Sequence, residues 1–311
     1  MIKKVFIDGS AGTTGLRIKE RLESRNDIEL IKLSEENRKD INARKEALNS
    51  ADIAFLCLPD AAAIEAVSLI DNENTVVLDT STAHRTNPYW AYGFPELSLA
   101  HEEKIKVSKR IAVPGCHASG FISLVFPLVE KGILPKDALL SCFSLTGYSG
   151  GGKKMIAEYE ADELDELYSA PRQYALGQTH KHLPEMSIIS GISEKPLFMP
   201  VVGNFYSGME VTVPIFINQL NNGFTAEDIK NAYKEKYQGP LVKYVEDFDE
   251  GGFCSANKLS FKDSMEISVS GNGERILLIS RYDNLGKGAS GAAVECMNIV
   301  LGTDKTTGLE I

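Results

Sequence analysis

The chain is poor in cysteine, and the few it has follow no framework. Five cysteines in 311 residues, an odd number without Cys-x-x-Cys spacing, fit neither a disulfide scaffold nor a zinc site. There is no run of about 18 apolar residues, so no membrane span is expected. The opening Met1-Ile2-Lys3-Lys4 runs straight into a strand and reads as too short for a signal peptide. Positive charge is also scarce: 33 basic residues face 43 acidic ones, a formal net charge of −10. That balance argues against nucleic acid or an anionic membrane surface as a partner. A cytoplasmic protein is expected, and any anionic substrate must be caught locally, by placed arginines, lysines or helix ends.

What remains describes an ordinary globule, with 43% apolar and 24% charged residues. Its length exceeds the usual domain of about 100–200 residues, so two domains are expected. Lys4 to Asp8 reads as a short strand entering Gly9-Ser10-Ala11-Gly12-Thr13-Thr14-Gly15, after which Leu16, Ile18 and Leu22 keep a helical period. Strand, glycine turn and helix follow in the order of a dinucleotide-binding unit, whose glycines let the backbone approach a pyrophosphate at the helix start. The spacing is Gly-x-x-Gly-x-x-Gly, so a plain strand-to-helix turn is the rival reading. A second strand, Ile28 to Leu33, leads to Ser34, Glu35 and Arg38. Glutamate suits a free ribose 2′-hydroxyl, whereas Ser34 and Arg38 suit a 2′-phosphate; the reading leans to NADP.

Asp52 to Leu58 and Thr75 to Asp79 read as further buried strands with a helix, Ala61 to Ile70, between them. Such recurrence makes an open parallel sheet, which binds ligands beyond the carboxyl ends of its strands. At one such end stand Ser81, His84 and Arg85, and the arginine suits a carboxylate or phosphate. A last strand of this half is expected over Ile105 to Val113.

That strand ends at Val113-Pro114-Gly115-Cys116-His117, and Phe121 to Leu128 continue at near-helical apolar spacing. Cys116 should therefore open a buried helix, where unpaired N–H groups and the helix dipole favour a thiolate and can hold an oxyanion. The rival reading is a small buried thiol at a helix start. Cys57, Cys142 and Cys296 lie in apolar runs and read as core fillers, while Cys254 is harder to place.

Beyond Leu134-Pro135 the runs Leu139 to Thr146, Met199 to Val202, Glu210 to Asn218, Met265 to Ser270 and Arg275 to Tyr282 read as strands without regular helices between them. They fit the mixed sheet of an α+β domain. Gly147 to Lys154 reads as a glycine-rich turn suited to an anion through backbone N–H groups, Lys153 and Lys154. His180-Lys181-His182-Leu183-Pro184-Glu185 offers a base with an orienting carboxylate. No third ligand of suitable spacing follows, so no metal site is expected. Asn284 to Gly291 leads into an apolar helix, Ala292 to Leu301, expected to close back on the first domain.

Taken together, Gly9 to Gly15, Asp79 to Arg85, Tyr92-Gly93-Phe94-Pro95-Glu96, Val113 to His117, His180 to Glu185 and Lys287-Gly288-Ala289-Ser290-Gly291 resemble the N-acetyl-gamma-glutamyl-phosphate reductases of arginine biosynthesis in their shorter form. The resemblance runs the length of the chain in the same order. It implies an NADP-binding Rossmann domain over residues 1–117, completed by the C-terminal segment 285–311, and a catalytic α+β domain over 118–284. It also implies a homo-oligomer, a dimer or tetramer, built through the second sheet. Cys116 would then be the nucleophile that forms a thioester with an acyl phosphate. One of His180 and His182 would be the acid/base, His180 being favoured because Glu185 lies within loop reach. Gly9, Ser10, Gly12, Thr13, Thr14, Gly15, Ser34, Arg38 and Asn284 are the expected cofactor contacts. Ser81, Arg85, Lys153 and Lys154 are the expected substrate contacts. Two alternatives stay open: the same chemistry on aspartyl or N-acetyl-aminoadipyl phosphate, and a non-catalytic dinucleotide-sensing module.

Overall fold

The computed structural model describes residues 2–311, which divide into two units, residues up to Gly115 with Ala289–Leu309, and Cys116–Gly288 with Glu310–Ile311. In the first unit β1 (Lys3–Asp8), α1 (Thr13–Glu23), β2 (Ile28–Ile31), α2 (Ile41–Ser50), β3 (Ile53–Leu56), α3 (Asp60–Ser68) and β4 (Val76–Asp79) alternate. They are followed by β5 (Ala91–Tyr92), α4 (Leu99–Val107) and β6 (Arg110–Ala112). The six strands form one parallel sheet in the order β2-β1-β3-β4-β6-β5. Because successive strand residues point to opposite faces, β1 divides its apolar residues between two cores. Val5 and Ile7 pack with Ile18 and Leu22 of α1 and with Ala293, Cys296 and Met297 of the C-terminal helix Gly291–Leu301. Phe6 faces the other way, with Ala47 and Leu48 of α2 and Ala66 of α3.

One expected strand is too long. Ile105 to Val107 belong to α4, which Ser98 starts by accepting the His101 N–H on its hydroxyl, and only Arg110–Ala112 pair with β4. The alternation of Ile105, Lys106 and Val107 mimics a strand, but the upstream cap decides for the helix.

The second unit opens with α5 (Cys116–Glu130) and continues through β7 (Ser141–Gly147), α6 (Gly152–Tyr159), β8 (Arg172–Gln173), α7 (Leu183–Ser190), β9 (Leu197–Gly203) and β10 (Met209–Phe216). It closes with α8 (Ala226–Lys236), β11 (Val242–Tyr244), β12 (Met265–Gly271) and β13 (Arg275–Tyr282). Its seven-stranded sheet runs β11-β12-β13-β10-β7-β9-β8 and is mixed, parallel at β7/β9 and β11/β12 and antiparallel elsewhere. Contrary to the sequence expectation, helices α6, α7 and α8 do separate its strands. α8 carries a clear start signal, Thr225 and Asp228 capping each other's backbone N–H. Among the described residues no helix is long and apolar enough to cross a membrane.

The sheet buries one arginine completely. Arg281 on β13 donates to Glu266 at 2.9 Å, to Glu250 at 2.6 Å and to the Phe248 carbonyl at 3.0 Å. Burial pulls the Glu250 pKa up, but hydrogen bonds from Lys258, the Ser255 N–H and Arg281 outweigh it and hold the group down at about 2. A carboxylate whose pKa is lower folded than unfolded stabilises the fold above the unfolded value, here 4.5, and loses that contribution as pH falls toward about 2. Chemical denaturation as a function of pH should therefore show a declining limb between these values that is flattened in Glu250→Gln. Arg281→Ala, which leaves the buried Glu266 with only Lys243 at 3.6 Å, should cost about 3 kcal/mol at neutral pH. Unchanged stability of Arg281→Ala would contradict the structural role assigned to it.

Candidate active site

The glycine turn of the first unit divides its labour. Gly9 has φ +87°, and a Cβ there would meet the Cys57 carbonyl oxygen at 2.3 Å; a Cβ on Gly15 would meet the Gly9 carbonyl oxygen at 2.4 Å. Both are required by packing of the turn on β3 and on itself. Gly12 is different: its nearest neighbour would be 3.4 Å away, and it caps α1 without a side-chain hydrogen bond. The backbone N–H groups at the start of a helix lack intrahelical acceptors, and Thr13 Oγ1 in that first turn is buried without a hydrogen-bond partner. An open approach, helix-start N–H groups and an orphaned hydroxyl suit a phosphate. Ser10 and Gly12 line a cavity of about 450 Å³ that extends to Glu35, Arg38 and Lys39. The residues present therefore fit a nicotinamide dinucleotide. Arg38 forms an ion pair with Glu35 at 2.7 Å, while Ser34 is engaged in the turn itself, its carbonyl accepting the Asn37 and Arg38 N–H groups.

At the end of β4 a knot of polar groups forms around the fully buried Asp79. Its carboxylate accepts the Ser81 N–H at 2.9 Å and hydroxyl at 2.8 Å, and lies 2.6 Å from His84 Nδ1. The His84 ring stacks on Trp90 at 4.0 Å. Arg85 is buried too, donating to the carbonyls of Val113 and Thr80, each at 2.8 Å. Arg85 thus ties the ends of β4 and β6 together, while Ser81 is bound to the Asp79 carboxylate at the end of β4.

In the second unit Cys116 is the first residue of α5, half-buried and free of any disulfide. The Tyr282 hydroxyl enters this first turn, donating to the Cys116 carbonyl at 2.6 Å and accepting the Gly120 N–H at 3.1 Å. Glycine is obligatory at 120, since a Cβ would lie 2.6 Å from that hydroxyl. Gly288 likewise lets its backbone approach Cys116, with a Cβ there reaching 3.1 Å from the cysteine Cβ. The other cysteines are poorly suited to be nucleophiles. Burial pushes Cys57 and Cys254 up to about 12 and Cys142 beyond that, and Cys296 is buried with its thiol donating to the Gly93 carbonyl.

Three histidines gather beside this helix start. The His117 ring centroid is 5.6 Å from those of both His180 and His182, which are 4.7 Å from each other. His182 caps α7 and donates its N–H to His180 Nδ1 at 3.2 Å. A neutral His180 therefore carries its proton on Nε2. Glu185 is buried on the first turn of the same helix. The histidine segment is thus a helix start, with Pro184 in the first turn as such positions favour.

The glycine-rich stretch differs from its expectation. Gly147, Tyr148 and Ser149 already donate their N–H groups to the carbonyls of Gly208, Phe205 and Tyr206, so these amides form no anion cradle. Lys153 and Lys154 stand exposed on α6, the latter paired with Glu158 at 3.9 Å. Asn284 is buried, accepting from the Gly208 N–H and donating to Ser149 Oγ, and so holds this loop in place. Ser144, Tyr174 and Tyr282 were given no role from the sequence, and His117 and Gly288 entered only as members of the motifs Val113 to His117 and Lys287 to Gly291. His117 carried a further signal, as a polar residue next to Cys116 at the start of an apolar helix.

Comparison with known proteins agrees with this arrangement. Residues 4–106 match the family model of the semialdehyde dehydrogenase NAD binding domain, and residues 116–284 that of the semialdehyde dehydrogenase dimerisation domain. N-acetyl-gamma-glutamyl-phosphate reductase 2 of a Nostoc species is 42% identical, over 98% of this chain and 99% of its own. The N-acetyl-gamma-glutamyl-phosphate reductase of a Rhizobium etli strain is 44% identical, over 97% and 99%. Among solved structures, aspartate semialdehyde dehydrogenase II from Vibrio cholerae shares the fold with a TM-score of 0.74 at 17% identity, over 97% of this chain and 99% of that one. Aspartate semialdehyde dehydrogenase with NADP from Candida albicans has a TM-score of 0.65 at 15% identity, over 99% and 100%. With nearly its whole length matched to such relatives, the chain belongs to the N-acetyl-gamma-glutamyl-phosphate reductase family of the semialdehyde dehydrogenases.

Proposed function

We propose that this chain reduces N-acetyl-L-glutamyl 5-phosphate to N-acetyl-L-glutamate 5-semialdehyde with NADPH, releasing inorganic phosphate. The observation that carries the reading is the half-buried Cys116 at the first position of α5, in a chain that matches the reductases from end to end. The Cys116 thiolate attacks the acyl carbon, the bond to the phosphate oxygen breaks, and a thioester remains. The α5 amides are suited to the negative charge that develops on the acyl oxygen during attack. When bound, the dinucleotide supplies the hydride. Hydride addition leaves an oxyanion on the tetrahedral carbon, its collapse breaks the C–S bond, and the aldehyde leaves with the thiolate regenerated.

The histidines take different parts in this reading. His117 is buried, and burial, then the charge of His180, pushes its pKa down to about 3, so it neither gives nor takes the reaction's protons near neutral pH. His180, with Nδ1 accepting an amide proton, presents Nε2–H and suits the donor to the thiohemiacetal oxygen. His182 is left as the base for the Cys116 thiol, with Glu185 in support. Arg85, Ser81, Lys153 and Lys154 remain the candidates for holding the substrate. For the cofactor, Arg38 and Lys39 at the cavity edge support a 2′-phosphate and hence NADP. The match of the second unit to a dimerisation domain supports a homo-oligomer.

The direct assay is phosphate-dependent NADP reduction. Activity with N-acetylglutamate semialdehyde far above that with aspartate semialdehyde is expected, and the reverse order would reassign the substrate. At the cofactor turn, Gly12→Val should raise the dissociation constant for NADPH sharply while leaving thermal unfolding near wild type. Gly15→Ala, forced against the Gly9 carbonyl, should destabilise the fold by about 1–3 kcal/mol. Arg38→Ala should weaken NADPH more than NADH by about 1–3 kcal/mol, measured by fluorescence titration; equal losses would move the 2′-phosphate elsewhere. Replacement of His180 by asparagine should lower kcat by about 10²–10⁴ while leaving alkylation of Cys116 near wild type. The same change at His182 should slow that alkylation as well.

A further inference from the structure

Strand β13 ends at Tyr282, and the residue after it is a fully buried aspartate with no part in the reaction as derived. Asp283 Oδ1 accepts the Leu285 N–H at 2.7 Å and the Gly286 N–H at 2.8 Å, and its Oδ2 accepts the Phe261 N–H at 2.6 Å. Its own carbonyl accepts the Gly288 N–H at 3.0 Å. A short acidic side chain that bonds amides two and three residues ahead folds the backbone into a tight turn. The bonds to Leu285, Gly286 and Gly288 thus close a loop over 283–288. The last residue of that loop rests on the nucleophile. A Cβ on Gly288 would lie 3.0 Å from the Asp283 carbonyl oxygen and 3.1 Å from the Cys116 Cβ.

The loop is also anchored from behind. Gly286 packs so closely on Lys262 that a Cβ there would lie 2.0 Å from the Lys262 carbonyl oxygen. The next residue, Asp263, is buried and accepts the Glu310 N–H on its carboxylate at 2.9 Å, which fixes this segment in turn. Phe261, at its start, has φ +68°, a conformation that a bulky residue keeps only where its surroundings enforce it. The Asp283 carboxylate on its N–H and the Tyr206 ring stacked 5.9 Å from its own supply that enforcement. Two consecutive residues therefore constrain Cys116 from different sides: Tyr282 holds its carbonyl, and Asp283 brings the Gly288 backbone against its Cβ. Such constraint bears on rate, since misplacing a reacting group by about 1 Å costs about a hundredfold.

We propose that Asp283 is a positioning residue for Cys116: by folding the 283–288 loop it seats the Gly288 backbone against the cysteine and fixes how the sulfur meets the acyl carbon. The proposal rests on Cys116 being the nucleophile. The test is phosphate-dependent NADP reduction with N-acetylglutamate semialdehyde by the full-length protein, with kcat referred to the fraction folded by thermal unfolding. The pH profile of iodoacetamide alkylation, mapped to Cys116 by peptide mass spectrometry, is measured alongside. Asp283→Ala should lower kcat about a hundredfold, with KM and the midpoint of the alkylation profile near wild type, because the α5 amides and the histidines are untouched. Asp283→Asn, whose side-chain oxygen still accepts the Leu285 and Gly286 N–H groups, should recover most of that loss. Gly288→Ala, which forces a methyl group against Cys116 and the Asp283 carbonyl, should reproduce the fall in kcat, and it decides the matter if Asp283→Ala does not fold. Wild-type kcat in Gly288→Ala, or in a folded Asp283→Ala, would overturn the proposal. Asp283→Asn as impaired as Asp283→Ala would overturn the part given to the two amides. Absence of turnover in the wild-type protein would instead overturn the proposed reaction, and this inference with it.

Discussion

The second unit turns on one hydroxyl. In an ordinary helix the Gly120 N–H would bond directly to the Cys116 carbonyl, four residues back. The Tyr282 phenol bonds to both of these groups, giving its proton to one and accepting from the other. Burial, then the charge of Cys116, raises the Tyr282 pKa well above the usual phenol value, so the donor is always protonated. The opening turn of α5 is thereby fixed to β13, in the middle of the mixed sheet. Gly120 makes room for the phenol, and Gly288 brings a second backbone against Cys116. The cysteine is held by packing on a strand, which is the rigid support a reacting group needs.

The same economy of protonation governs the histidines. Three rings lie within 5.6 Å centroid distances of one another, and three positive charges there would repel. Burial keeps His117 neutral, with hydroxyls at both its nitrogens, and the His182 amide occupies one nitrogen of His180. His117 is thus held neutral and His180 is held with its Nδ1 as an acceptor. The glycine turn of the first unit follows a similar division: two glycines are demanded by the protein's own backbone, and Gly12 leaves the approach open.

Much of this was legible in the sequence because it is local. The Gly9 to Gly15 turn between strand and helix, the apolar strands of the parallel sheet and Cys116 before an apolar helix are all short-range patterns. They led to the α/β first unit, the mixed second sheet and membership of the reductase family. The helix Leu99–Val107 was misread where three alternating residues imitated a strand, and α6, α7 and α8 were missed in the second unit. α7 is hidden because it is apolar on most sides and begins at a histidine, a poor cap. The supports of Cys116 were not legible at all. Tyr282 is 166 residues away, and Ser144 and Tyr174 meet His117 across 27 and 57 residues, distances over which no periodicity speaks. Within the turn Gly147 to Lys154, expected to hold an anion, the amides of Gly147, Tyr148 and Ser149 are taken by carbonyls from a distant segment, a pairing no local pattern announces.

The central claim is that Cys116 carries the acyl group. Mixing the protein with N-acetylglutamyl phosphate in the absence of nicotinamide dinucleotide, quenching in acid and mapping peptides by mass spectrometry tests it most directly. An N-acetylglutamyl adduct on Cys116, accompanied by one equivalent of released phosphate and absent from Cys116→Ser, is the predicted result. An adduct on Cys57, Cys142, Cys254 or Cys296, or full turnover in Cys116→Ser, would contradict it.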